Sequence, residues 1–395
     1  MKQTDVLIVG NGIAGHSAAK EFRKHDKESS ITIVSGESRN TYYRIKLSSC
    51  LAKGIDDSFS VNDDSWYLEN NIDVILKKIV IDVNFDNKIA KLDDGTTIAY
   101  KKLLLALGSR PFIPPIKGKQ LPGVFALRTV DDLLNISEYV EGKNKIAVLG
   151  GGLLGLEAAW SFRELGKEVV VINSSAYLLD RQLDEETGLI LNELVKSKGI
   201  DLLTNVSINE IKGIEGVSSV ELSDGSELRV DMLLISTGVR PNIGLVMNTQ
   251  VEVDRGVIVN EKMETTCEGV YAAGDICEFN GQNIGLWTSG NEQGKVAGAF
   301  MAGANRNYEK PKIFTSLQIG DINVFSAGDV KKWDKVHSYR ENGTLKKVFS
   351  TNGVLTGVIL MGDIRDMNAM IQMLDKREDI DTFLRTSKFN YSLEA

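Results

Sequence analysis

From residue 5 the chain reads DVLIVGNGIAGHSAAKEF: an unbroken apolar run, a glycine-rich break, then apolar positions at helical spacing. From residue 145 it reads KIAVLGGGLLGLEAAWSF, and the pattern repeats. A short apolar run bounded by glycine predicts a strand buried on both faces, and the period that follows predicts an amphipathic helix. Each stretch continues into a β-branched run, ITIVSGE in the first and KEVVVIN in the second, which completes the strand–helix–strand unit of a parallel sheet. Two nucleotide-binding units are expected.

Residues 306–395 follow a different rhythm. Strand-like runs at IFTSLQIGDINVFSAG, LKKVFS and GVLTGVILMG precede the helical pattern RDMNAMIQMLDKR, as expected of a small α+β domain. The fold class is therefore α/β, two Rossmann-like dinucleotide-binding domains followed by a small C-terminal α+β domain. The six prolines mark the joints: Pro111, Pro114, Pro115 and Pro122 cluster, while Pro241 and Pro311 each stand beside a change of pattern.

Composition narrows the function. A chain of 395 residues is long enough for two or three domains with buried cores. Its net charge of −8 disfavours nucleic acid or an anionic membrane as partner. The apolar runs are too short to span a bilayer and the first strand pattern begins by Asp5, so a cytoplasmic location is expected. Cys50, Cys267 and Cys277 are odd in number and lack metal-ligand spacing, and there are only three histidines. Neither a disulfide framework nor a metal site is expected.

Gly10, Gly12 and Gly15 form G-x-G-x-x-G, and Gly150, Gly152 and Gly155 form it again. The first glycine of such a turn permits a tight bend, the second lets backbone approach a pyrophosphate, and the third lets helix and strand pack closely. Ile13 and Ala14, like Leu153 and Leu154, open helices whose positive ends then face the phosphates. A ribose-reading acid is expected about 20 residues on. The first unit offers Ser35 and Glu37 there, with Glu37 favoured; the second offers Asn173.

With these turns, LLLALGSRP at 103–111, LISTGVRPN at 234–242 and GVYAAGDI at 269–276, the chain resembles the pyridine nucleotide–disulfide oxidoreductase superfamily along essentially its whole length. That resemblance implies FAD on 1–112 and 233–305, interrupted by an NAD(H) domain at 113–232, with 306–395 as the C-terminal domain. It implies that Asp275, after Gly274, bonds the flavin side chain, and that Ala106, Gly108, Arg110 and Gly238 line turns near the cofactor. Arg240 is expected to be structural. Leu107 stands where the family usually has threonine. LWTSGNEQGKVAG at 286–298 matches the helix aimed at the flavin ring, with Gln293 and Gly294 as candidates there. Trp287 is either a cofactor contact or a core aromatic, and Glu157 either approaches the nicotinamide or serves the helix dipole.

The acceptor turns on RIKLSSCLAKG at 44–54. Disulfide reductases of the superfamily carry a cysteine pair here, and this chain has none. In the single-cysteine branch of NADH oxidases, peroxidases and coenzyme A-disulfide reductases the segment reads roughly L-S-C-G. Leu47-Ser48-Ser49-Cys50 places serine at the matching position. One residue along a helix turns a side chain about 100°, so Cys50 is expected to be a small core or surface residue. YYRIKLSS instead resembles NADH:rubredoxin oxidoreductases and the flavin domains of nitrite reductase large subunits, which makes Arg44 and Lys46 FAD contacts. GDINVFSAGD and VLTGVILMGD resemble that group's short C-terminal domain.

The implied activity is transfer of electrons from NADH through FAD to rubredoxin or a similar small acidic carrier, with no catalytic side-chain acid or base. The alternative is an oxidase, peroxidase or disulfide reductase using Cys50. Between 305 and 350, Arg306, Lys310, Lys312, Lys331, Lys332, Lys335, Arg340, Lys346 and Lys347 outnumber Glu309, Asp321, Asp329, Asp334 and Glu341, an excess suited to steering an acidic carrier.

NSSAYLL, after the second unit's second strand, holds no cation for a 2′-phosphate. Steady-state kinetics with the two nucleotides is therefore expected to give a higher kcat/KM for NADH than for NADPH; equal values contradict this reading.

Overall fold

The computed structural model describes residues 1–394. In the first sheet Ile72–Leu76, Ile31–Ser35, Lys2–Val9 and Thr97–Leu105 are parallel neighbours in that order. Val270–Ala272 adds to the end of Thr97–Leu105 in parallel. The start of that strand turns antiparallel to Ile89–Leu92, which pairs with Val80–Asn84. The second sheet is parallel throughout: Ile200–Leu203, Glu168–Ile172, Lys145–Leu149, Met232–Ile235 and Val124–Phe125.

One expected boundary shifts. A return to the first unit at 233 would cut through Met232–Ile235, all four residues of which are buried in the second sheet. The chain leaves that sheet only after Ile235, because an apolar run buried on both faces suits an interior parallel strand. Its two crossings, Ser109–Pro111 and Val239–Pro241, pair antiparallel, so the junction between the dinucleotide domains is a two-stranded ribbon.

The C-terminal sheet is antiparallel in the order Phe314–Ile319, Ile322–Gly328, Val354–Met361, Thr344–Thr351, Lys335–Glu341, Ser392–Leu393. Asn342-Gly343 and Asn352-Gly353 close two of its hairpins, each with positive φ at both residues, the geometry that matches strand twist. Side chains alternate with the period of a strand. Val324, Phe349, Ile359 and Met361 join a core with Leu156, Phe162 and Val195 of the second domain. Phe325, Val348, Val358 and Leu360 pack beneath Met367–Lys376 and Ile380–Thr386. One face of the sheet thus fixes it to the second domain.

Two helix contacts position the site. Trp287–Met301 crosses Ile13–His25 at glycines: a Cβ on Gly294 would lie 2.2 Å from the Ala14 carbonyl oxygen, and one on Gly298 2.2 Å from that of Ala18. Leu47–Lys53 packs on Leu153–Glu164, joining the first domain to the second, and Ser161 Oγ donates to the Ser48 carbonyl at 2.8 Å.

Glu157 lies at this second junction. Burial pushes its carboxyl up to about 7 against an ordinary 4.5, with the Ser48 hydroxyl opposing the shift. Because the folded value is the higher one, the stability owed to the neutral carboxyl is complete below about 4.5 and lost as pH rises through about 7. Glu157→Gln, neutral throughout, is expected to melt above the wild type at about pH 8 by on the order of 2 kcal/mol, with the gap closing towards about pH 4. Melting curves across that range check it; a gap independent of pH contradicts it.

Candidate functional site

The two glycine turns have nearly the same backbone. Gly10 has φ +111° and Gly150 φ +120°. A Cβ on Gly10 would sit 2.1 Å from the Ala106 carbonyl oxygen, and one on Gly150 2.3 Å from that of Ser236. Gly15 and Gly155 each face the carbonyl of their own turn, at 2.0 Å from Gly10 and 2.2 Å from Gly150. The outer glycines are therefore demanded by the protein itself.

The middle ones are not. A Cβ on Gly12 or Gly152 would meet nothing within 4 Å. Both glycines cap the helices that follow, with φ/ψ of −80°/−175° and −82°/178° and no side-chain cap. Ile13 and Ala14, and Leu153 and Leu154, open those helices, so free N–H groups point into space that protein leaves open. Open space at a helix N-terminus fits a dinucleotide pyrophosphate on each turn.

Around the first turn a charged network has formed. Glu37 Oε1 accepts from Arg44 Nη2 at 2.5 Å, and Oε2 accepts from the Tyr42 hydroxyl. Arg44 also donates to Tyr42 at 2.8 Å and to the carbonyl of Arg128. Arg128 in turn donates to Asp275 Oδ2 at 2.8 Å, where Ser109 Oγ also donates at 2.7 Å. Glu37 and Asp275, expected at opposite ends of the flavin nucleotide, are thus linked through two arginines. Ser35 is buried and accepts from the Glu37 amide at 3.3 Å. Lys46 turns to Ser58 instead, at 2.7 Å to its carbonyl and 2.8 Å to its hydroxyl.

Arg128, Tyr42 and Ser109 were not among the expected residues. Arg128 had one local signal, the helix start that follows it: Asp132 accepts from the amides of Arg128 and Thr129 in a capping box. That box fixes the backbone from which Arg128 reaches the other domain.

Gln293 Oε1 accepts from the Gly274 amide at 2.8 Å, which pins the Asp275 turn to Trp287–Met301. Gly294 serves that helix's close crossing over Ala14, the packing role that its missing Cβ explains. Trp287 opens the helix, stacks on Tyr43 at 5.6 Å, and keeps a sheltered Nε1 with no partner. An unpaired sheltered donor here fits a ligand acceptor. Ala106 is buried and receives the first turn, Gly108 (φ +64°) opens towards Arg128, and Gly238 (φ +98°) precedes the ribbon. Arg110 is exposed on the ribbon, and Arg240 lies over the Phe112 ring at 4.3 Å.

Asn173 is placed differently from a ribose reader. It is 8% exposed; Oδ1 accepts from the Gly151 amide at 3.1 Å, and Nδ2 donates to the carbonyls of Ser175 and Tyr177, both at 3.0 Å. Both of its donors are spent inside the protein.

Cys50 and Ser49 separate as a helix requires. Ser49 is exposed, while Cys50 is 7% exposed in the core shared with Leu156 and Phe162, where burial pushes its thiol up. A protonated core thiol is inert.

The cations of 305–350 form no single patch. Lys347 is 1% exposed and pairs with Asp184 at 2.7 Å, Glu186 at 2.5 Å and Glu394 at 3.0 Å. Lys346 is equally buried, on Asp366; Arg306 pairs with Glu292, Lys312 with Asp375 and Arg340 with Glu186. The nine cations therefore do not form one steering surface, since five of them are already paired with carboxylates. Among the described residues no helix is long and apolar enough to cross a membrane.

Comparison with known proteins agrees with this geometry. Residues 4–294 match the pyridine nucleotide-disulphide oxidoreductase family, and 314–378 match the rubredoxin NAD+ reductase C-terminal domain. NADH-rubredoxin oxidoreductase of Clostridium acetobutylicum is 32% identical over 96% of this chain and 97% of its own. A crystal structure of the enzyme of that name from the same organism superimposes with a TM-score of 0.83 at 29% identity, covering 96% of this chain and 97% of that one. Nitrite reductase [NAD(P)H] of Bacillus subtilis (strain 168) is 35% identical over 99% of this chain. The chain spans about half of that relative's length, 49%. With both glycine turns and the C-terminal sheet in place, the chain belongs to the pyridine nucleotide-disulphide oxidoreductase family.

Proposed function

We propose that this reductase delivers the electrons of NADH to rubredoxin or a similar small, acidic one-electron carrier, and that they leave from the flavin without passing through Cys50. The observation that carries this reading is the placement of RIKLSSCLAKG: its only thiol faces the core, and the exposed position beside it is serine. The match of 314–378 to a rubredoxin reductase domain supports the choice of carrier.

FAD held here would supply two-electron acceptance from a nicotinamide and one-electron release. The protein's part is to bind and orient. Gly12 and Gly152 leave room for the two pyrophosphates, and the helix ends behind them supply N–H groups and partial positive charge. Asp275 is held by Ser109 and Arg128 to accept from the flavin side chain, and Glu37 is held by Arg44 and Tyr42 to accept from its adenosine ribose. Asp275 keeps Oδ1 for that purpose, both partners lying on Oδ2, and each Glu37 oxygen, accepting one bond, keeps a lone pair. Trp287, at the start of its helix, would offer its unpaired Nε1 to an acceptor on the bound cofactor. No side chain has to give or take a proton in this scheme, so rate depends on geometry.

Anaerobic stopped-flow measurement of the NADH-reduced protein tests the proposal, with oxidised rubredoxin and coenzyme A disulfide as competing acceptors. Rapid reoxidation by rubredoxin, equal in wild type and Cys50→Ser, is the expected result. Reoxidation by the disulfide that disappears in Cys50→Ser would overturn it.

A further inference from the structure

The loop after Glu168–Ile172 lies at the carboxyl ends of the parallel strands, where open α/β sheets bind their ligands. It is pressed onto the second glycine turn. Asn173 accepts from the Gly151 amide, and the Leu179 amide donates to the Gly151 carbonyl at 3.0 Å. A Cβ on Gly151 would lie 2.5 Å from Leu178 Cδ2 and 2.8 Å from Asn173 Oδ1. The turn has the shape this loop leaves for it.

From its other side the loop is held by the C-terminal domain. Lys331 Nζ donates to the Tyr177 hydroxyl at 2.8 Å and to the Leu183 carbonyl, and it lies 5.1 Å above the Tyr177 ring. Ser326 Oγ donates to the Gln182 carbonyl at 2.5 Å. The Tyr177 ring rests on Gly188, where a Cβ would come within 2.1 Å of Cδ2, so the ring has little freedom to swing. Tyr177 is thus bound at both ends, its carbonyl to Asn173 and its hydroxyl to Lys331.

We propose that Lys331 and Tyr177 are positioning residues for the nicotinamide dinucleotide: through Asn173 they hold the Gly150–Gly155 turn in its binding shape, so the C-terminal domain contributes to NADH affinity without touching the nucleotide. The inference rests on reading that turn as the NADH site. It also separates two adjacent lysines. Lys331 is turned inward onto the loop, whereas Lys332 shows no side-chain hydrogen bond or ion pair among the described residues.

The test measures NAD+ binding to the holoenzyme by titration calorimetry, alongside NADH kinetics. Tyr177→Phe and Lys331→Met are each expected to weaken NAD+ about 3- to 10-fold, roughly the net worth of one ordinary hydrogen bond, since this one is exposed to water. The double variant is expected to be no weaker than the worse single, because both remove the same contact. The effect falls on KM for NADH and not on kcat, Lys331→Arg restores affinity, and Lys332→Met behaves as wild type. Wild-type affinity in both single variants, or an equal loss in Lys332→Met, overturns the proposal. Gly152→Asp separates the premise from the inference, since it puts a carboxylate in the space assigned to the pyrophosphate. If it binds NAD+ normally, the turn is not the site; if it alone fails to bind, the turn is the site and the positioning role is wrong.

Discussion

A carbonyl oxygen stands where a side chain would begin. At Gly10 it belongs to Ala106, at Gly150 to Ser236, and in each case it lies just past the end of the neighbouring parallel strand. Any Cβ at these positions would force the turn off the strand beside it, and the positive φ would add strain. This close approach brings the following helix down with its N-terminus at the edge of the sheet, and the third glycine seals it there. What remains open is the space in front of the middle glycine. The open space at both turns follows from that one steric constraint, applied twice.

The connections between the units give the two sites different tasks. The first domain surrounds its turn with Glu37, Arg44, Arg128 and Asp275, of which Arg128 comes from the start of the second domain. The second domain surrounds its turn with a loop in which Asn173 and Tyr177 already have partners, gripped from behind by the C-terminal sheet. A cofactor that stays bound suits the charged, cross-braced site. A nucleotide that comes and goes suits the one with fewer committed charges.

The glycine turns were legible in the sequence because no other residue fits them, and the flanking strands because burial on both faces leaves an unbroken apolar run. The Asn-Gly hairpins at 342–343 and 352–353 were equally readable signals, since that dipeptide readily adopts the required turn. The direction of charged side chains was not legible. Lys346 and Lys347 look like a surface pair, yet adjacent residues on a strand face opposite ways, and each found carboxylates distant in sequence. Asn173 occupied the expected place for a ribose reader, but its oxygen is taken by a glycine turn 22 residues earlier and its donors by the loop that follows it. Arg128 lies 147 residues from Asp275, a pairing that only the folded domains create.

If the outer glycines serve the fold while the middle ones serve the proposed cofactors, the most direct measurement is the FAD content and NAD+ affinity of Gly12→Ala and Gly152→Ala, with melting curves taken on the flavin-stripped proteins. The account predicts melting close to that of the wild type for both, loss of FAD confined to Gly12→Ala, and loss of NAD+ affinity with full FAD content in Gly152→Ala. Full retention of both cofactors by both variants would contradict it.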